Sequence, residues 1–295
     1  MLIIGEKVNV MMKKIGQAMK EYNKKPIQEM ALLQVEGGAN WLDINLGPAT
    51  KEGPERMRFV VEAVQEVTDV PLALDTMNIE AMKAGLETVK DREVMINSIS
   101  SQPERIEKLM PMAVEHDAWV VGLVLNAQGN VPRDAAERVE VAYNIIMAAQ
   151  EYGIPLNKLL IDPIVLPIAV TQDQVHALID SMDMLQGVFA DFDPQPGTVV
   201  GLSNVSNSVP DPELCSLLNR TLLAVLMVKG LTAAIVDPND EALMGVVNKN
   251  EEYQIVEKIV KGEPVDESDP TAIKLLKTWR VLTEETLYAH SYLEL

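Results

Sequence analysis

Eight short apolar runs, each followed by a polar break and then a segment with helical periodicity, limit what this chain can fold into. The runs lie near residues 2–5, 41–45, 71–75, 93–97, 119–125, 158–162, 198–202 and 232–236, and each has the length and composition of a strand. Between them, Met57, Val60, Val61 and Val64 recur at i, i+3, i+4 and i+7. The sets Ile106, Leu109, Met110, Ala113; Val139, Ala142, Tyr143, Ile146; and Leu214, Leu217, Leu218, Leu222 follow that spacing or nearly so. Each connecting segment therefore carries one stripe to bury. Strand then helix, eight times over, predicts an α/β fold of right-handed βαβ units, either a (β/α)8 barrel or a doubly wound sheet. Polar residues end many of the strands, which favours the barrel, because an open sheet gathers its site at one switch point. No GxGxxG follows the first strand, which weakens the dinucleotide-binding sheet further.

Local signals agree with this parse. Asp211-Pro212 reads as a helix N-cap and first helical residue, Thr171-x-x-Gln174 as a capping box, and Gly153 as a helix stop. Residues 10–22 are expected to form an extra helix before one at 26–37, and 240–261 to form the eighth barrel helix. An acidic linker, 262–269, then leads to a helical segment at 270–290 containing Trp279 and Leu282. The expected organisation is a barrel over 1–261 and an extension over 262–295 that packs on the barrel's flank or reaches a second subunit.

Composition narrows the function. At 295 residues and 32.5 kDa one large domain is the default, and no apolar run approaches the roughly 20 residues that span a bilayer. The start lacks the basic segment and small-residue cleavage site of a secretory signal, so the cytoplasm is the expected location. A single cysteine, Cys215, excludes an intrachain disulfide, and His116, His176 and His290 are far apart, with solvated or capping roles expected. No metal centre is expected. The net charge of −19 argues against nucleic acid and anionic membrane as partners, since both require clustered cations.

The candidate site is the set of polar residues at the strand ends: Asp43 and Asn45, Asp75, Asn97, Asp162, and Ser203 with Asn204. In a parallel barrel these converge on one mouth. Carboxylates and amides, with no Lys, Arg or His at the strand ends, suit a neutral heterocycle rich in N–H donors and suit a phosphate poorly. Asp162 and Asp75 are placed to accept two parallel hydrogen bonds from an amidine-like edge, and Asn97 offers both a donor and an acceptor. Taken singly, each residue also reads as a helix N-cap following a strand.

Six motifs in order carry a family resemblance: Gly5-Glu6-Lys7-Val8-Asn9, Leu42-Asp43-Ile44-Asn45-Leu46-Gly47-Pro48, Leu74-Asp75-Thr76, Met95-Ile96-Asn97-Ser98, Ile161-Asp162-Pro163 and Gly201-Leu202-Ser203-Asn204-Val205-Ser206. Together they resemble the methyltetrahydrofolate:corrinoid protein methyltransferases of the pterin-binding TIM-barrel superfamily, from the first strand to about residue 260. The resemblance implies that Asp75, Asn97 and Asp162 hold the pterin, with Asp162 accepting from its amino-pyrimidinone edge. It implies that Gly201 and Ser203 let the seventh strand approach the ring. Asn204 is implied as the catalytic residue, hydrogen-bonding near the methyl-bearing nitrogen, and Asn207 as a further folate contact. Asp43 and Asn45 line the mouth without an assigned contact. The implied substrate is tetrahydrofolate or 5-methyltetrahydrofolate, the implied methyl-exchanging group is a corrinoid (cobalamin) carried by a partner protein, and the implied assembly is a homodimer. The family's loop after the seventh strand is shorter and carries a basic residue, whereas Ser208-Val209-Pro210-Asp211-Pro212-Glu213 is longer and acidic.

Two other functions compete. A dihydropteroate synthase needs cations after the late strands for its diphosphate-bearing substrate; here no Arg-Lys pair follows Gly201-Leu202-Ser203-Asn204, and Ile235-Val236-Asp237-Pro238 lacks an Arg-x-His. A noncatalytic subunit that only docks a corrinoid protein has no use for Asp75, Asn97, Asp162 and Asn204 together. The direction of methyl transfer is not set by these residues.

Overall fold

Ile4, Trp41, Ala73, Met95, Val121, Leu160, Val199 and Ala233, one from each of eight strands, pack together as an apolar layer inside a closed barrel. The computed structural model describes residues 1–49 and 51–294. Its strands are parallel and neighbour one another in chain order: β1 (Leu2–Asn9), β2 (Trp41–Gly47), β3 (Leu72–Thr76), β4 (Val94–Ser100), β5 (Trp119–Leu123), β6 (Leu159–Asp162), β7 (Gly197–Gly201) and β8 (Ala233–Val236), with β8 pairing β1 to close the ring. The barrel expected from the strand–helix rhythm is the observed fold.

Alternation along each strand sends neighbouring residues to opposite faces. Leu42, Ile44, Leu72, Leu74, Val120 and Ile161 accordingly point outward into the layer between sheet and helices, where all are fully buried. Around them lie α1 (Lys13–Lys20), α2 (Lys24–Glu36), α3 (Gly53–Gln65), α4 (Ile79–Thr88), α5 (Pro103–Glu115), α6 (Ala135–Tyr152), α7 (Gln172–Phe189) and α8 (Pro212–Val228). Met57, Val60, Val61 and Val64, the stripe read from the sequence, are the buried face of α3. Each such side chain contributes about 1.5–3 kcal/mol by leaving water.

Several local readings need correction. The segment 240–261 is two helices, α9 (Glu241–Val247) and α10 (Glu251–Val260). Lys249 between them takes a left-handed φ of 57°, and the Asn250 side chain accepts from the Tyr253 N–H to start the second helix. The terminal helix, α11 (Pro270–Leu282), is shorter than 270–290 and is followed by turns. Thr171 starts α7 without a capping box: its hydroxyl donates to the Pro167 carbonyl, while Gln174 is engaged by Arg133, Asp173 and Arg138. Asp211 caps α8 through the Glu213 N–H, and Gly153 ends α6 at φ 82°, both as expected.

The terminal segment packs on the barrel's flank. Leu275, Val281 and Leu282 of α11 are buried in the same apolar cluster as α7, α8 and α10. Gln172, at the start of α7, fastens the chain beyond it: its amide donates to the Val281 and Thr286 carbonyls at 2.7 and 2.8 Å, and its oxygen accepts from the Tyr288 N–H at 2.9 Å. Among the described residues no helix is long and apolar enough to cross a membrane.

Candidate active site

Counting two residues along each strand from the apolar layer gives Glu6, Asp43, Asp75, Asn97, Leu123, Asp162, Gly201 and Ile235. All eight line one cavity of about 280 Å³ at the C-terminal end of the barrel. The period of two that fills the interior with Ile4, Trp41 and Leu160 therefore also builds the floor of the site, with four carboxylates and an amide among the strands' next inward positions. Asn45, Ser203 and Asn204 complete the wall above it.

The floor is cross-linked by hydrogen bonds. Asn97 donates from its amide to Asp43 Oδ1 at 3.1 Å, and Asn45 donates to Asp75 Oδ2. Asn45 is itself held because its oxygen accepts from the Gly47 N–H at 3.0 Å. Asp162 Oδ1 accepts from the Ile164 N–H at 2.8 Å. These bonds fix the direction in which each remaining carboxylate oxygen faces the cavity.

Burial dominates the electrostatics. It raises the Asp43 carboxyl well above the ordinary aspartate value, and nearby Asp75 adds to the effect against the amides of Asn97 and Asn45. Asp75 is raised by burial to about 7 despite Arg105 and the Asn45 amide. Asp162 is raised by burial to about 7 despite the Ile164 N–H and Arg138. Without a ligand, then, Asp75 and Asp162 pass between acid and anion near neutrality, and a molecule presenting N–H groups favours the anion.

Cations stand near the mouth, but each is engaged. β1 runs on to Asn9 rather than ending at residue 5, so Lys7 lies within the strand, two residues before its end and outside the cavity lining. Its ammonium lies 2.8 Å from Glu6 and 3.3 Å from Asp237. Burial lowers its pKa, but Glu6 and Asp237 outweigh that and hold it above the ordinary lysine value. Arg105 donates to the Met77 and Ser98 carbonyls, and Arg138 to carbonyls behind β6.

At the lip, the turn Leu202–Ser206 carries Ser203 and Asn204. Ser203 donates to Glu6 at 2.9 Å. Gly201 leaves room for Asn204, since a Cβ there would stand 3.2 Å from the Asn204 amide nitrogen. Of the residues expected at the site, Asp43, Asn45, Asp75, Asn97, Asp162, Gly201, Ser203 and Asn204 share the cavity. Asn207 stands outside its lining, exposed, with its amide donating to Asn204 Oδ1 at 3.2 Å. Glu6, Leu123 and Ile235 were not expected there, although the count of two from Ile4, Val121 and Ala233 finds them.

The chain is similar to several known proteins. Residues 5–237 match the family model described as pterin binding enzyme. A methylcorrinoid:tetrahydrofolate methyltransferase of Eubacterium limosum is 25% identical over 248 residues, covering 84% of this chain and 89% of that protein. Methionine synthase of Mycobacterium leprae is 31% identical over 243 residues, which is 80% of this chain and 20% of that protein's length. A solved dihydropteroate synthase of Coxiella burnetii, in complex with pteroic acid, superposes with a TM-score of 0.58 at 13% identity, covering 85% of this chain and 93% of that one. At that identity the likeness is one of fold.

Proposed function

The chain belongs to the pterin binding enzymes, and from that premise we propose that it moves a methyl group between 5-methyltetrahydrofolate and the corrinoid of a partner protein. One observation carries the reading: the cavity is lined by carboxylates and amides, and every cation near it is already engaged. Such a cavity receives a neutral ring with several N–H donors. Among the described residues it offers a diphosphate no free cation.

In this reading Asp162 accepts the amino group and adjacent ring N–H of the pterin as a bidentate pair, with its orientation set by Ile164. Asp75 and Asn97 take the remaining ring edge, each held by a neighbour, Asn45 and Asp43. The ring is then fixed with its methyl-bearing nitrogen toward the lip, where Asn204 lies. An amine leaves poorly unless its nitrogen gains positive character, so a donor that strengthens as the bond breaks accelerates the step. Asn204 supplies a hydrogen-bonding N–H for this purpose without carrying a charge, and the proton that ends on the leaving nitrogen comes from solvent. When docked, the partner's corrinoid supplies the cobalt that gives or takes the methyl group. Single-turnover transfer to a reduced corrinoid tests the assignment.

Dihydropteroate synthesis is the second reading, favoured by the fold shared with solved synthases such as that of Xanthomonas albilineans with 4-aminobenzoic acid, at a TM-score of 0.57. It requires free cations for a diphosphate. Lys7, which adjoins the cavity residue Glu6, is neutralised by Glu6 and Asp237. The assembly we infer is a homodimer working in the cytoplasm, with 1–261 as the barrel and 262–295 as its extension. Because the stripe of α11 is spent on α8 and α10, its contact would lie elsewhere than that stripe.

A further inference from the structure

Helix α6 buries an entire arginine. Arg138 has no exposed surface, and among the described residues its guanidinium makes no hydrogen bond to a carboxylate. Nη1 donates to the carbonyls of Pro163 and Ile164 at 2.7 and 3.0 Å. Nη2 donates to the carbonyl and side-chain oxygen of Gln174 at 3.3 and 3.0 Å, and Nε to the Pro132 carbonyl at 3.3 Å. Burying a guanidinium among neutral acceptors is expensive, so its retention calls for a use beyond general stability.

The acceptors reveal that use. Pro163 and Ile164 directly follow Asp162, and Ile164 has a φ of 70°, a left-handed conformation costly for a β-branched residue. In that conformation its N–H is the one that seats Asp162 Oδ1. Arg138 thus grips both carbonyls of a strained turn whose single N–H orients the cavity carboxylate. A parallel arrangement stands behind β3, where buried Arg105 donates to the carbonyl of Met77, two residues after Asp75.

We propose that Arg138 is the positioning residue for Asp162, fastening the Pro163–Ile164 turn so that carboxylate and turn face the ligand as one unit. The proposal rests on the pterin-binding reading of the site. A guanidinium held by carbonyls also favours the anionic carboxylate from behind while keeping the cavity free of cations. The other charged groups concerned are Asp75 of β3, Asp43 of β2 and Glu6 of β1 across the cavity, and Asp173 of α7 near the guanidinium. Asp75 raises the Asp162 carboxyl and Arg138 opposes it, while Asp173 favours the charged guanidinium.

Arg138→Met and Arg138→Lys separate the two contributions. Carbon-13 carboxyl resonances of the ligand-free protein, with Asp162 identified through Asp162→Asn, give its titration midpoint. Calorimetry with 5-methyltetrahydrofolate gives affinity. Arg138→Met should move the midpoint up by about one pH unit and weaken binding about tenfold or more. Arg138→Lys keeps the charge but cannot span the same carbonyls, so it should nearly preserve the midpoint and still weaken binding severalfold. A folded Arg138→Met protein with wild-type midpoint and affinity overturns the proposal, as does wild-type affinity in Arg138→Lys. If neither folds, Gln174→Leu removes one acceptor and leaves the cation; weakened binding supports the clamp, and undiminished binding overturns it. Wild-type protein that fails to bind 5-methyltetrahydrofolate sinks the functional reading instead, and the ligand-free midpoints still decide the role of Arg138.

Discussion

Asn207 donates its amide to the side-chain oxygen of Asn204 at 3.2 Å, which leaves the Asn204 NH2 over Gly201 at the edge of the cavity. The bond selects one of the two ways an asparagine amide can present itself, and it is the donating one. Asn204→Ala should lower methyl transfer by about 10²–10³-fold at saturating 5-methyltetrahydrofolate, because the lost donor acts as the transition state forms. Asn207→Ala should lower it by less, about tenfold or under, since Asn204 still samples the right rotamer. Stopped-flow absorbance of the corrinoid measures both. A wild-type rate in saturated Asn204→Ala would remove that residue from the chemical step.

On the proposed reading, Asp162 governs affinity. Asp162→Ala leaves the amino edge of the ligand unpaired and should weaken binding by about 1–3 kcal/mol, read by calorimetry on a protein with unchanged circular dichroism. The pH dependence follows from a free-site value of about 7. A ligand that donates to the carboxylate lowers that value, so binding near pH 6.5 must release a proton. Affinity should be flat above pH 7 and fall by up to about tenfold per pH unit below it. Calorimetry in two buffers of different ionisation enthalpy checks the release, and proton uptake would contradict it.

The same carboxylates work against stability. A carboxyl raised in the folded state binds its proton more tightly there than in the unfolded chain, so the folded form is favoured at low pH and loses that advantage as pH rises toward 7. With Asp75 and Asp162 at about 7, the penalty should be complete by pH 8. Asp75→Asn and Asp162→Asn should therefore raise the Tm of the ligand-free protein, and raise it more at pH 8 than at pH 5. Differential scanning calorimetry at the two pH values tests this; a gain that is equal at both, or larger at pH 5, would contradict it.

The barrel was legible because each strand is a short apolar run between polar breaks, and the cavity residues Asp43, Asp75, Asn97 and Asp162 were legible because they interrupt those runs. Glu6 was not. The first apolar run ends at residue 5, whereas β1 continues to Asn9 with a shift in its pairing to β2 between Gly5 and Val8. Arg105 and Arg138 were hidden for another reason. In an amphipathic helix an arginine reads as part of the solvated face, and only tertiary contact shows these two buried among carbonyls. The break at Lys249 depends on a backbone conformation and on an asparagine cap that the apolar period of 240–261 does not report.

Assembly is open to direct measurement. Light scattering at micromolar concentration should give about twice the chain mass of 32.5 kDa, as expected of two-fold pairing. A mass near that of one chain would reject the dimer.

Methyl transfer itself is tested most directly by single turnover. Purified protein is mixed with 5-methyltetrahydrofolate and cobalamin chemically reduced to cobalt(I), and in a parallel reaction with 4-aminobenzoic acid and a pterin diphosphate. The account predicts loss of the reduced-corrinoid absorbance and formation of tetrahydrofolate in the first reaction, dependent on the protein and suppressed in Asn204→Ala, with no condensation product in the second. Condensation in the second reaction without methyl transfer in the first would contradict it.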